Sequence, residues 1–381
     1  MNNTQNPFAL SDDLIYLNHA AVSPWPLGTA ETVKRFAEEN ARLGASNYLQ
    51  WMDTERQLRD NLAWLINAPS ADDIAIQKST SEALSAIAHG LEWQAGQNVV
   101  FLKQEFPSNR VVWQSLERYG VTARMIDPGP GQEPEAALLA ACDKNTRLIS
   151  VSSVQYASGL RMDLLRIGEY ANKNNVLFCV DAIQSLGALA FDVAEVGADF
   201  VVADGHKWML GPEGVALLYT DKRIREQLTL HQFGWHMLET AGDFDALATD
   251  PASSGRRFEC GSPNMLGIHA LNSSLSLIRE IGLERISADI LRNTDLLVQL
   301  ISDHPRLELI SSADPERRSG IVTFKVRGGD QEKIYRELMQ RQVICAARGG
   351  GIRFSPHFYT GQRKLIDALQ ILDRVITNKT D

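Results

Sequence analysis

From Ile74 to Tyr219 this sequence alternates short apolar runs with helical stretches, and that alternation limits the fold more than any other feature. The runs IAI (74–76), NVVFL (98–102), RLISVSS (147–153), VLFCVD (176–181) and VVAD (201–204) have the composition and bounding turns of buried strands. Ala83–Leu91 and Asp163–Asn174 read as helices between them. Strand and helix in turn predict an α/β fold, a mostly parallel sheet with helices on both faces.

The stretch Val201–Tyr219, VVADGHKWMLGPEGVALLY, carries the strongest chemical signal. Polarity switches at Asp204-Gly205-His206-Lys207, a glycine-rich turn follows, and VALLY is a second strand. A lysine just past the carboxyl end of a buried strand lies where open α/β sheets bind ligands. Lost solvation there lowers its pKa and makes the amine a nucleophile towards a carbonyl. The alternative is a solvated loop lysine. Asp181 weighs against that alternative, because it ends another buried strand 26 residues upstream. A lysine to form an imine and a carboxylate against the pyridinium nitrogen are the pair that pyridoxal 5'-phosphate (PLP) chemistry needs.

The paired segments VDAIQSLGAL and ADFVVADGHKWMLGPEGVALLY closely resemble the class V aminotransferase family of PLP enzymes. That family includes cysteine desulfurases, kynureninases and isopenicillin-N-epimerase-like proteins. Matching motifs follow in the family's order from about residue 15 to about residue 360. The resemblance implies a fold-type-I homodimer. Residues 1–20 would lie near the active-site entrance, 21–267 would form the large PLP-binding domain, and 268–381 a small α+β domain.

It also implies roles. Lys207 would hold PLP as a Schiff base and move the Cα proton, while Asp181 keeps the ring nitrogen protonated. Phe106 would cover the ring, where desulfurases place a histidine, and offset stacking of that kind adds roughly 0.5–1.5 kcal/mol. Gln184 would bond the phenolic oxygen. Thr80, Ser81 and His206 would hold the phosphate. Ser79 and Glu82 form a capping-box pattern, and a helix start offers free N–H groups and a positive dipole end to an anion. Ser262, in the segment Arg257–Asn264, would reach the phosphate in the neighbouring subunit. Asn18 and His19, in YLNHAAVSP, would line the entrance near the substrate; a loop histidine making local bonds is the other reading of His19. Gln155 or Tyr156 would reach the ring hydroxyl or the substrate, and spacing favours Tyr156. Arg353, in GIRFSP, would bind the α-carboxylate, with Arg348 as the competing candidate. Asp204 departs from the pattern, since many members carry a serine there that donates to the phosphate. A carboxylate at that place repels phosphate unless it is turned away or protonated.

Composition narrows the partners. A net charge of −9 offers no basic face for nucleic acid or anionic lipid, so an anionic cofactor must be held by local donors. The start, MNNTQNPFALSDD, has neither a basic nor an apolar signal-peptide region, and no apolar run reaches the roughly 18 residues of a membrane span. Cys142, Cys179, Cys260 and Cys345 are dispersed, without metal-ligand spacing. The expectation is a cytoplasmic, metal-free enzyme that acts on an α-amino acid as an aminotransferase or lyase. A cysteine desulfurase-like or C–S lyase activity, or a kynureninase-like hydrolysis, is the alternative, and a non-catalytic PLP-binding regulator a remote one.

Overall fold

The computed structural model describes residues 7–129 and 131–377. The chain opens with β1 (Ile15–Tyr16), then α1 (Leu27–Leu43) and α2 (Tyr48–Leu65). Next come β2 (Ile74–Gln77), α3 (Thr80–Gly90), β3 (Asn98–Leu102), α4 (Ser108–Gln114) and β4 (Thr122–Ile126). They are followed by α5 (Pro134–Ala140), β5 (Thr146–Ser152), α6 (Leu164–Lys173), β6 (Leu177–Asp181) and α7 (Val193–Val196). The strands β7 (Phe200–Asp204) and β8 (Ala216–Thr220) then close a sheet of seven, in the order β2-β8-β7-β6-β5-β3-β4. Only β8 runs antiparallel to its neighbours; all other pairs are parallel.

Side-chain alternation along these strands feeds two cores. Val100, Leu102, Phe178, Val180, Val201 and Ala203 face one. Val99, Phe101, Cys179, Phe200 and Val202 face the other. The helices between strands begin where the sequence supplies a cap. Ser79 Oγ accepts from Glu82 N at 3.2 Å, and Asp163 Oδ1 accepts from Arg166 N at 3.1 Å. The reciprocal half of the capping box is shifted by one residue, since Glu82 Oε2 accepts from Lys78 N at 2.6 Å.

After the one-turn helix α8 (Lys222–Arg225), residues 226–264 are mostly irregular. Two long helices follow, α9 (Met265–Ile281) and α10 (Leu283–Ser302), joined at Gly282, whose φ of 90° ends the first. Ile268–Ile278 and then Ile286 and Ile290 pack into the large core, whereas Leu297–Ile301 pack into the second body. The second body contains β9 (Leu307–Leu309), β10 (Val322–Val326), α11 (Gln331–Gln340), β11 (Val343–Ile344), β12 (Ala346–Arg348), β13 (Gly351–Phe354) and α12 (Gln362–Thr377). Its four-stranded antiparallel sheet is ordered β12-β13-β10-β9. β1 pairs in parallel with β11, and the bridge Asn18–Ser355 extends that contact, so β1 packs on the second body. No helix among the described residues is long and apolar enough to cross a membrane.

Candidate active site

Register alone brings the candidate residues to one edge. Gln77 and Asp204 both pair with Ala216, Asp181 pairs with Val202, and Ser152 pairs with Asp181. The carboxyl ends of β2, β5, β6 and β7 are therefore level, and their following loops share the rim on which open sheets bind ligands. Thr80 opens α3 just past β2, Phe106 follows β3, and Lys207 follows β7.

The lysine loop is a tight, partly strained turn. Leu210 N donates to Lys207 O at 3.0 Å, and Leu210 itself sits at φ 62°, a left-handed backbone that a branched side chain rarely adopts. Gly187, at φ 94°, lets the loop after β6 approach it, because a Cβ there would lie 2.3 Å from Trp208 O. Lys207 is 8% exposed, with Nζ 5.6 Å from the centre of the Phe106 ring. Burial pushes its pKa down; Asp181 opposes that and Arg353 adds to it. Asp181 is pushed the other way, chiefly by burial and then by the Glu105 charge.

Glu105 holds the turn that presents Phe106. Its buried carboxylate accepts from Ser152 N at 3.0 Å, Gln155 Nε2 at 2.8 Å and Asn109 Nδ2 at 3.1 Å, and also from the Ser152 hydroxyl. Gln155 is thereby tied down below the rim, whereas the half-buried Tyr156 presents its ring edge-on to Phe106 at 5.2 Å.

Several polar groups on this rim lack partners. Thr80 is buried, and its Oγ1 has no hydrogen-bond partner among the described residues. His206 Nδ1 lies 2.9 Å from Asp204 Oδ1 but off the hydrogen-bonding line, so both atoms remain unpartnered. Asp204 thus sets its carboxylate against His206, which is how the chain accommodates an acid at that place. Ser81 is exposed and bonds Ser108 Oγ at 2.8 Å. Arg353 is only 2% exposed, and no carboxylate among the described residues pairs with it. Its Nη1 donates to Tyr156 O at 2.7 Å and its Nε is left over. Buried charges are normally paired, because an isolated one is strongly disfavoured away from water. The rim therefore holds an unpartnered hydroxyl at Thr80, a buried carboxylate at Asp181 and a buried guanidinium without a carboxylate partner at Arg353.

His19, Gln184 and Ser262 have surroundings that the sequence did not show. His19 is fully buried, its Nδ1 donating to Ser355 O at 2.8 Å and its Nε2 taking the Tyr359 hydroxyl at 2.6 Å. Both nitrogens are thus occupied by residues more than 330 positions away in the chain, not by neighbours in its own loop. Beside it, Asn18 keeps a buried, unpartnered Oδ1. Gln184 is half committed: its Oε1 accepts from Trp208 Nε1 at 2.9 Å and its Nε2 donates to Ala20 O at 3.0 Å, leaving one N–H. Ser262 lies exposed in its own groove at the end of β2, with Gln77, Lys78, Glu82 and Asn264.

The Ser262 segment is held from behind by a charged cluster that its sequence spacing did not announce. Glu55, His236 and Glu259 bring ligand atoms within 4.8 Å of one another. Arg59 lies between the carboxylates, 2.6 and 2.7 Å from Glu259 and 2.5 Å from Glu55, so a guanidinium supplies the charge that a metal ion would otherwise bring. Glu259 also accepts from Ile76 N at 2.7 Å, which ties the segment to β2.

The family model for aminotransferase class-V matches residues 15–357. A probable cysteine desulfurase of Methanothermobacter thermautotrophicus is 31% identical over 93% of this chain and 92% of its own. The isopenicillin N epimerase of Streptomyces clavuligerus is 28% identical over 95% and 96%. Among solved structures, the cystine C–S lyase C-DES in complex with its product, cysteine persulfide, superposes with a TM-score of 0.87 at 22% identity, covering 95% of this chain and 98% of that one.

Proposed function

The chain belongs to the class V aminotransferase family of PLP-dependent enzymes, and from that premise we propose that it processes an α-amino acid bound between Lys207 and Arg353. The observation that carries the proposal is the buried, carboxylate-free Arg353, whose charge is felt at Lys207.

The unpartnered groups on the rim fit the cofactor end by end. Thr80 and His206 take the phosphate beside the α3 amino terminus, where free N–H groups and the helix dipole favour an anion. Phe106 covers one face of the ring. Asp181, a buried carboxylate without a cation in direct contact, holds a proton at the ring nitrogen, which relieves its own desolvation. Gln184 offers its one free N–H to the phenolic oxygen. When bound, PLP supplies an electron sink for the pair left at the substrate Cα. Arg353 grips the α-carboxylate through two parallel N–H bonds, which orients the Cα–H bond towards Lys207. Lys207, its pKa lowered chiefly by burial, would carry the cofactor and move the Cα proton.

We read the enzyme as an aminotransferase or a lyase that needs no thiol of its own. Burial pushes the Cys345 thiol up to about 12 and that of Cys142 to about 11, and Cys179 lies in the sheet core. A thiolate, the nucleophile of persulfide formation, is disfavoured at all three. Incubating the holoenzyme with a panel of amino acids, with and without a keto-acid acceptor, and assaying keto acid, ammonia and sulfide tests this. Acceptor-dependent keto acid marks a transaminase, and acceptor-free ammonia a lyase. Sulfide release from cysteine that disappears in a folded Cys345→Ala variant would overturn the thiol-free reading.

The same reading makes the enzyme a cytoplasmic homodimer in which Ser262 completes the partner's phosphate site. Its exposed position and the clamp from Glu259 to β2 support a segment presented outward. Mixing Lys207→Ala chains with Ser262→Ala chains is expected to restore activity, because one hybrid site regains both side chains. If mixtures never exceed the sum of the two parents, the site is not shared.

A further inference from the structure

A closed ring of hydrogen bonds joins the lysine loop to the strand that carries Arg353. Trp208, next to Lys207, donates from Nε1 to Gln184 Oε1 at 2.9 Å. Gln184 Nε2 donates to Ala20 O at 3.0 Å, and Ala20 N donates to Ser355 Oγ at 3.1 Å. Two residues on, His357 Nε2 donates to Trp208 O at 3.2 Å and closes the circuit. The tautomer follows from its neighbours: Phe358 N donates to His357 Nδ1 at 2.9 Å, so the ring proton sits on Nε2. Burial holds His357 well below the ordinary histidine pKa, so it is neutral there.

Every polar atom of Ser355 is tied to the entrance segment. Ser355 N and Oγ both donate to Leu17 O, at 2.8 and 3.1 Å, and Ser355 O accepts from His19 N and Nδ1. Ser23 N adds a second tie to the lysine loop by donating to His206 O at 2.8 Å. Ser355 follows Arg353 by two residues and is fully buried, as is His357. Among the described residues, the His357–Trp208 contact is the one hydrogen bond that links the backbone next to Lys207 directly to the segment just past Arg353.

We infer that Ser355 and His357 are positioning residues: through the ring Trp208–Gln184–Ala20–Ser355–His357 they set the distance and angle between Lys207 and Arg353. This rests on the reading of Arg353 as the carboxylate binder and deepens it. Both residues bond protein groups and would act through them. Their effect is to hold a carboxylate-bearing ligand at the right offset from the carbonyl carbon, where small misplacements are magnified in rate.

A pair of reagents reads that offset without knowledge of the natural substrate. Aminooxyacetate and O-methylhydroxylamine both capture the carbonyl carbon of bound PLP and bleach its visible absorbance, but only the first carries a carboxylate. In the wild-type holoenzyme aminooxyacetate should react at least tenfold faster. Ser355→Ala and His357→Leu should each lower the ratio of the two rates about fivefold and leave the O-methylhydroxylamine rate within twofold. His357→Gln, which can still donate to Trp208 O, should restore most of the ratio. If His357→Leu yields no folded holoenzyme, Ser355→Ala carries the test. A ratio that falls in Arg353→Lys but stays at the wild-type value in Ser355→Ala overturns the positioning role alone. A ratio unchanged in Arg353→Lys overturns the carboxylate reading, and this inference with it.

Discussion

Lys207→Ala is expected to abolish turnover of every amino acid that the wild-type enzyme processes, a loss of roughly 10²–10⁴-fold for the proton transfer alone. Borohydride treatment of the wild-type holoenzyme should fix the cofactor on one peptide, the one containing Lys207, and peptide mapping reads this directly. The variant should take no label under the same treatment. Label on another lysine would refute the assignment. The physical basis is the position of the amine: 8% exposed, past the end of β7, its pKa lowered chiefly by burial from the usual 10.5. A lowered amine pKa means that the neutral, nucleophilic form appears at lower pH than for a free lysine. Reloading of apo-enzyme with PLP should therefore rise with pH and reach its midpoint below 10.5. A midpoint at or above that value would mean that the amine is solvated when it reacts.

Arg353→Lys should cut kcat/KM for an α-amino acid by more than tenfold, since loss of a charged hydrogen bond costs on the order of 1.5–3 kcal/mol. Charge is kept in this variant, so the loss isolates the planar two-point contact that an ammonium cannot make. The effect should fall on kcat as well as KM, because the contact orients the Cα–H bond. The cofactor's visible absorbance should not change. An amine lacking the carboxylate is the control: equal losses for the amine and the amino acid would show that Arg353 serves another purpose. Arg348, exposed at the tip of the β12–β13 hairpin, bonds, among the described residues, only the neighbouring Ala347 carbonyl through Nη1, at 2.8 Å. Its charge helps to lower the Arg353 pKa, after burial. Two cations left unpaired by carboxylates at one mouth attract an anionic substrate, yet only the buried one can hold it in a fixed geometry.

Much of this molecule is legible in the order of its residues, because local physics decides it. Alternating apolar runs must pair and be covered, so VLFCVD and FVVAD became central strands and the polar switch after each became a rim loop. Lys207, Asp181, Thr80 and Phe106 were readable for the same reason: each stands at the end of a strand, and parallel register makes those ends level. Chain order could not decide which polar atoms remain unpartnered. That depends on neighbours 50 to 340 residues away in sequence, as for Gln155 on Glu105 and His19 on Tyr359. Trp208, Ser355 and His357 stood inside motifs already singled out, yet nothing local distinguishes a histidine that braces a carbonyl from one that faces a ligand. His19 illustrates the point: it sits in a segment that a resemblance assigns to the site, but folding commits its two nitrogens to Ser355 and Tyr359. Hydrogen-bond partnership is a property of three-dimensional packing, since each polar group takes whichever partner the completed fold brings within about 3 Å. The sequence alone therefore determined the sheet, the level ends of its strands and the lysine just past one of them. The tertiary structure alone decided that Arg353 is buried without a carboxylate partner and that a ring of bonds links it to that lysine.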